Sequence, residues 1–482
     1  MSILNHDKYE AVIGLEVHAQ LLTESKAFAP VSTEFGGSPN TQVTPLCLGH
    51  PGTLPVLNEN LVRYIIKMGL ATDCEISRKS IFARKNYFYP DLPKGYQISQ
   101  FETPICSGGH IDIDAEHGEM TIGITRIHME EDAGKSIHDQ DPYHTLIDLN
   151  RAGVPLIEIV SEPDIRSPQQ AYDYLTCIKQ IVQYLEICDG NMEEGSLRCD
   201  ANVSVRPIGQ EEFGTRTELK NMNSFRNVER AIQYEIDRQI ELVEAGGEVM
   251  QQTMLWDSDK METRLMRTKE EAHDYRYFPE PDIPPVVVDD EMLEQVKKEL
   301  PEMPDVRKER FMNEYEMSTD DAQNLTENRY LADYYEQVVN HTQSPKASSS
   351  LVLTEVLRVL NEKSIEIRQF SLSPERLGGL IALRNNDKIS SSAMTEIFDA
   401  MVDGEKSAEA YAKEMNLMQV SDSGFLNPII DEVIAEHPDE VQRYQEGKKG
   451  LIGFFIGQVM QRSQGKANPQ MVREMVDQKL DG

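Results

Sequence analysis

The chain has 482 residues, too many for a single hydrophobic core, so two or three domains are expected. A formal net charge of −34 excludes a surface that is basic throughout, so any nucleic-acid binding has to rest on a local patch. No run approaches the roughly eighteen consecutive apolar residues of a membrane helix, no presequence is visible, which makes the cytoplasm the expected location, and six singly placed cysteines suit reduced thiols rather than a disulfide framework.

From Ala11 to Leu21 the odd positions are all apolar, while Gly14, Glu16, His18 and Gln20 take the even ones. This alternation predicts a strand with one buried face. Glu16 and His18 then project from the same face about 6 to 7 Å apart, close enough to share one cation; a solvated outer face is the alternative. The run from Arg84 to Gln100 interleaves basic and aromatic residues with two prolines, Pro90 and Pro93. Such a texture suits stacking on bases and holding phosphates of a single-stranded RNA end, and equally suits loops packed on a core. Further on, Glu130, Glu131 and Asp132 are adjacent within His128 to Ser136. Gly134-Lys135-Ser136 lacks the glycine that a phosphate-binding loop needs five residues earlier, where Met129 stands.

Ser167-Pro168 opens a predicted helix from Gln169 to about Ile187. Met192-Glu193-Glu194 adds two more acids. A second alternating strand runs from Ser196 to Arg206, with Arg198, Asp200 and Asn202 sharing its polar face. Ser224 is a candidate N-cap for a helix reaching about Ala245. Carboxylates gathered from separate segments repel one another unless a cation neutralises them. Hard divalent ions take such oxygen ligands, while a histidine ligand leaves Mn²⁺ and Zn²⁺ open beside Mg²⁺.

Four prolines between Pro279 and Pro285 close this strand-rich part. The expected class is α+β: a mixed, strand-rich domain over 1–290, an all-α domain over 291–412 and an α-helical tail over 413–482. Gln343 to Ser350 is expected as a loop. Ser390 to Ser392 resembles an amidase serine run only superficially, and no internal repeat is present. In the tail, Gly450, Gly453 and Gly457 allow close helix approach or a bound backbone. Between Arg443 and Arg473, six basic residues face one acid, Glu446.

Together these segments resemble the GatB/GatE family of aspartyl/glutamyl-tRNA amidotransferase subunits. The resemblance is carried by Val12-Ile-Gly-Leu-Glu-Val-His18, Cys47 to Asn58, Arg84 to Asp91, Tyr96 to Gln100, His128 to Lys135, Asp148 to Arg151, Pro155 to Val160, Glu193 to Asp200, Lys220 to Ser224 and Asp274 to Asp282. Gly465 to Gln470 matches the family's tail, itself similar to free-standing YqeY proteins.

The resemblance implies a cradle-like catalytic domain, a helical domain and a tRNA-contacting tail. It also implies ATP and Mg²⁺ as cofactors, an amidase A subunit and a small C subunit as partners, and Glu-tRNA(Gln) or Asp-tRNA(Asn) as substrate. The family's chemistry is phosphorylation of the side-chain carboxylate followed by displacement of phosphate by ammonia from glutamine. Glu16, His18 and Glu131 are the implied metal ligands, with Asp200 and Glu130 as further candidates. Lys85, Asn86, Tyr87, Arg198 and Lys220 are candidates for holding ATP or substrate, and Lys448, Lys449 and Lys466 for tRNA. Some relatives hold a structural zinc on C-x-C and C-x-x-C; here those places read Ala29-Pro30-Val31 and Thr44 to Cys47, so no zinc is expected. The length leaves little room for the large insertion of the E type, which favours the B type. Two rival readings are a non-catalytic RNA scaffold, against which the pairing of Glu16 with His18 counts, and a free-standing carboxylate–amine ligase, against which the basic tail counts.

Overall fold

The computed structural model describes residues 6–115, 118–138, 140–268, 275–419, 423–463 and 467–481. Its elements include, in chain order, β1 (Tyr9–Gln20), α1 (Glu59–Ala71), β2 (Ala83–Asn86), β3 (Tyr96–Ser99), β4 (Gly118–Glu131), β5 (Pro155–Ser161) and α2 (Pro168–Tyr184). They continue with β6 (Leu197–Pro207), β7 (Thr217–Met222), α3 (Phe225–Glu244), β8 (Gln252–Asp257), β9 (Glu262–Thr268) and α4 (Asp290–Glu299). One long sheet has the spatial order β9-β8-β7-β6-β1-β5-β4, extended by Cys106–Ser107 and Glu75–Ile76. β7 and β8 run parallel, whereas the other pairs along this path are antiparallel.

From Ile13 onward the alternation read in β1 is the alternation of its burial. Ala11, Ile13, Leu15, Val17 and Ala19 are buried, and α2 and α3 share their core through Tyr174, Leu175, Ile178, Val228, Ile232 and Ile236. Truncating one of these aliphatic side chains to alanine costs about 2 to 5 kcal/mol, the lost transfer energy plus the cavity left behind. Ser167 and Ser224 cap the two helices, each side-chain oxygen accepting from the third helical amide, Gln170 N and Asn227 N. Gln239 of α3 locks onto β6, donating to Val203 O at 3.0 Å and accepting from Val205 N at 3.1 Å. With helices on the apolar face, the polar residues of the opposite face are left to meet one another.

The first compact unit extends to Pro304, further than the proline-rich run suggests. Val286–Val287 pairs with Lys79–Ser80, and Glu299 at the end of α4 forms ion pairs with Arg63 and, at 3.0 Å, Lys67 of α1. Residues 291–304, expected at the start of the helical domain, therefore pack on the sheet unit.

The second unit, from Asp305 onward, is helical throughout its described regular elements. It includes α5 (Arg329–Thr342), α6 (Pro345–Leu351), α7 (Ser391–Val402), α8 (Ser423–Glu436), α9 (Ile452–Arg462) and α10 (Pro469–Asp481). Phe311, Tyr335, Val338, Ile381 and Phe398 belong to one apolar cluster, and Leu426, Ile430, Tyr444, Phe455 and Val476 to a second. A strand-rich part followed by a helical one is the α+β arrangement expected.

One local expectation is corrected. The loop expected over Gln343 to Ser350 is mostly helix: Gln343 ends α5 at φ 51°, and Pro345 opens α6 in the first turn, where its missing N–H satisfies nothing anyway. Ser348 is buried and donates to Ser344 O at 2.9 Å, and Ser349 is buried beside it while Ser350 is exposed. At Gly450, Gly453 and Gly457 nothing lies within 4 Å of an added Cβ, so no described neighbour approaches them closely.

Candidate active site

Strand register decides what Glu16 and His18 meet. His18 stands opposite Arg198 of β6 and, on its other side, opposite Glu158 of β5; Glu158 in turn stands opposite His128 of β4. Directly opposed residues place their Cβ atoms about 4.5 to 5.5 Å apart. Three strands thereby bring His18, Glu158 and His128 into one row, with Glu130 two residues along on the same face of β4. Glu158 Oε2 lies 3.3 Å from His18 Nε2 and 3.6 Å from His128 Nε2, and Glu130 Oε1 lies 3.8 Å from His18 Nε2. His18, Glu130 and Glu158 each offer one ligand atom, all within 4.8 Å of one another.

A second group lies beside the first. Glu16 stands opposite Asp200, and Glu218 of β7 opposite Asn202; ligand oxygens of Glu16, Asp200 and Glu218 also lie within 4.8 Å of one another. Asn202 donates to Glu16 Oε1 at 3.0 Å, and Thr253 donates to Glu218 Oε2 at 2.6 Å. Lys220 donates its ammonium to Asp200 and, at 2.9 Å, to Glu218. An all-oxygen trio fits a hard divalent ion, and a trio of two carboxylates and one imidazole fits Mg²⁺, Mn²⁺ or Zn²⁺.

Electrostatics describe a site short of positive charge. Burial raises the Glu16 carboxyl, and repulsion from Glu158 and Asp200 adds to it. Burial likewise raises Glu130, with Glu158 adding repulsion. Burial opposes ionisation of Glu158 too, but the imidazoles of His128 and His18 outweigh it and hold its carboxyl below the usual range. For His18 burial disfavours the charge, yet Glu158 and Glu130 raise it to about 8. His128, where burial dominates, is lowered to about 4.

The structure thus brings Glu16, His18, Glu130 and Asp200 to one face and sets Glu131 apart. Successive residues of a strand point to opposite faces, so Glu131 enters the side that His128 and Glu130 avoid. There its Oε1 accepts from Ile98 N at 2.9 Å and from the ammonium of Lys94, lining a small cavity with Lys26, Cys47, Leu92 and Gly153. Cys47 Sγ in that cavity lies 3.6 Å from the Lys26 ammonium, which also donates to Gln42 O at 2.7 Å.

The other candidates divide. Arg198 donates through Nη2 to Asp132 Oδ2 at 2.8 Å, while its Nε is buried without a hydrogen-bond partner. Lys85 lies 4.9 Å from the Tyr275 ring centroid, and the charge of Glu130 raises it against the effect of burial. Tyr87 packs edge-on to Tyr275, and burial pushes its hydroxyl up. Asn86 donates to Arg276 O at 2.9 Å, so its amide ties the end of β2 to the segment carrying Tyr275.

In the tail, two of the six basic residues counted in the sequence, Lys449 and Arg462, are engaged by acids. Arg462 pairs with Glu432 at 3.2 Å and with Glu436. Lys449 pairs with Asp481, and Lys479 with Asp431. Lys448 has no ion-pair partner among the described residues, and Lys466 lies outside them.

Sequence reasoning missed Glu158, His128 and Glu218 as members of the site. A single acid in the apolar run Pro155 to Val160 was the signal for Glu158. For Glu218 it was alternation with Leu219 and Lys220.

Comparison with known proteins identifies the family. Residues 11–294 match the GatB/GatE catalytic domain and residues 333–480 a GatB domain. The chain is similar to the B subunit of the aspartyl/glutamyl-tRNA(Asn/Gln) amidotransferase of Chlorobaculum tepidum, at 56% identity covering 98% of this chain and 99% of the relative. It is 54% identical to the corresponding protein of Halorhodospira halophila, covering 98% and 100%, and 52% identical to that of Salinibacter ruber, covering 99% and 98%. On these grounds the chain belongs to the GatB/GatE family of amidotransferase subunits, enzymes of the carbon–nitrogen ligase class.

Proposed function

We propose that this chain carries out the ATP- and Mg²⁺-dependent activation of the side-chain carboxylate of Glu-tRNA(Gln), Asp-tRNA(Asn) or both, and its amidation. The observation that carries the reading is the pair of cation-capable groups, His18/Glu130/Glu158 and Glu16/Asp200/Glu218, side by side on one polar sheet face. A carboxylate resists attack by ammonia because its charge repels a nucleophile and oxide does not leave. Transfer of the γ-phosphoryl group onto a carboxylate oxygen releases ADP and creates a leaving group; ammonia then adds at the carbon and phosphate departs. Bound Mg²⁺ supplies neutralisation of the charge that develops on the phosphoryl oxygens.

In this reading His18, Glu130 and Glu158 hold one ion, and Glu16, Asp200 and Glu218 a second. Arg198, with an unspent buried Nε, and Lys85 face phosphate. Asn86 and Tyr87 position the Tyr275 loop, and Glu131 acts on the other face of the sheet. Ammonia has to arrive unprotonated, which favours delivery from glutamine by an amidase A partner over capture from bulk water. A small C partner completes the assembly. No helix among the described residues is long and apolar enough to cross a membrane, in keeping with a cytoplasmic enzyme of translation.

The division of the second unit into a helical domain to about residue 412 and a tRNA-contacting tail, with Lys448, Lys449 and Lys466 toward phosphates, belongs to the same proposal. Its support is the two separate apolar clusters. Substitution of three of the four cysteine places supports the absence of a structural zinc.

The test is amide formation on purified Glu-tRNA(Gln) and Asp-tRNA(Asn) with ATP and free ammonia, by the chain with and without its partners. Gln or Asn recovered from the tRNA is the expected product. No ATP-dependent product under any of these conditions overturns the reading.

A further inference from the structure

The two carboxylate groups differ in what already stands among them. Around His18, Glu130 and Glu158 no lysine or arginine nitrogen lies within ion-pair distance among the described residues; the contacts are with His18 and His128 at 3.3 to 3.9 Å. Around Glu16, Asp200 and Glu218 a cation is already in place. Lys220 donates to Asp200 and Glu218 at once, while Arg267 reaches Glu218 only at 3.8 Å. Lys220 and Glu218 alternate on β7, so the strand itself delivers the ammonium to that group. A divalent ion drawing on Asp200 and Glu218 at about 2.1 Å competes with the ammonium for the same carboxylate charge and, at Asp200 Oδ2 and Glu218 Oε1, for the same oxygens. The Lys220 side chain is 27% exposed and sits on a flexible four-carbon stem, so it has a way out.

We propose that Lys220 is an exchangeable countercharge of the second group: its ammonium occupies Glu16/Asp200/Glu218 until a second divalent ion displaces it, so the two ions load in order. This rests on the two-ion reading above. The displaced ammonium is then within a side chain's reach of the phosphates that arrive with the second ion, which couples loading of that ion to the nucleotide.

The test counts Mn²⁺ bound to the full chain without nucleotide, by equilibrium dialysis. Wild type should bind one ion tightly and a second at least about tenfold more weakly, a separation of about 1.4 kcal/mol. Lys220→Met should tighten the second ion by about tenfold or more. Equal affinities in wild type, or an unchanged second affinity in Lys220→Met, overturns the proposal.

Should the variant fail to fold, acetic anhydride labelling of wild type with peptide mass analysis decides. Lys220 should become several-fold more reactive as Mn²⁺ is raised through the weaker step, and a constant rate overturns the exchange. Glu158→Gln separates the two levels: an unchanged Mn²⁺ count in that variant removes the first ion site, and with it the reading on which the exchange rests.

Discussion

Glu158 faces His18 across one strand pair and His128 across the next, with its Oε2 at 3.3 Å and 3.6 Å from their Nε2 atoms. The carboxylate is therefore the hub of the first ion group. Glu158→Gln preserves the shape and removes the charge. Because loss of a residue merely supporting a metal ligand costs about 10- to 100-fold in affinity or activity, loss of this carboxylate should cost at least about 100-fold in ATP-dependent amide formation. tRNA affinity should stay within about twofold. Steady-state rates and a filter-binding titration check both.

Glu130 and Glu131 are neighbours in sequence with opposite surroundings, and they should behave oppositely. Glu130→Gln should weaken Mn²⁺ binding. Glu131→Gln should leave the bound Mn²⁺ count unchanged and lower stability, because it strands the buried Lys94 ammonium; such losses are about 3 to 5 kcal/mol. Dialysis and thermal unfolding on the two variants distinguish the roles.

Of the two adjacent lysines of the tail, Lys448 should carry the larger part of the salt effect. Lys448 has no described ion-pair partner, whereas Lys449 is engaged by Asp481. Charge reversal at Lys448 should lower the slope of log affinity against log salt by about one. Reversal at Lys449 also breaks its pairing with Asp481, so the double change should lower the slope by about one to two. Equal slopes for wild type and double variant would mean that the tail does not touch tRNA.

In the second unit, Arg307 is buried and pairs with Asp333 at 2.7 Å and with Glu336. Burial alone would raise the Glu336 carboxyl, but hydrogen bonds from Arg310 and Arg307 hold it below its ordinary value. Its pKa being lower folded than unfolded, the stabilisation is full above the unfolded value of about 4.3 and fades as pH falls through the folded one. Glu336→Gln should therefore cost about 1 to 2 kcal/mol near neutrality, after allowance for partial exposure. The gap to wild type should narrow below about pH 4 in denaturant titrations.

The strand carrying Glu16 and His18 was legible because its alternation is local, and the caps Ser167 and Ser224 because a serine before a helical pattern acts locally too. What spacing alone does not contain is register. Whether Glu158 meets His18, or Glu218 meets Glu16, depends on pairing between segments many residues apart. Glu130 and Glu131 differ only in parity, which matters once the face is known. The pairing of the tail charges was hidden for the same reason, since Glu432, Glu436 and Asp481 lie outside the counted stretch. The Gln343 to Ser350 misreading came from composition: serines suggested a loop, while Pro345 was an N-terminal signal.

The central claim is that the carboxylate becomes an acyl phosphate on the face that carries these two groups. Glu-tRNA(Gln) charged with glutamate bearing heavy oxygen in its side-chain carboxylate, incubated with ATP, ammonia and the enzyme, tests it most directly. One labelled oxygen should appear in the inorganic phosphate for each amide formed, and both products should vanish together in Glu158→Gln. Amide formation with unlabelled phosphate would contradict the account.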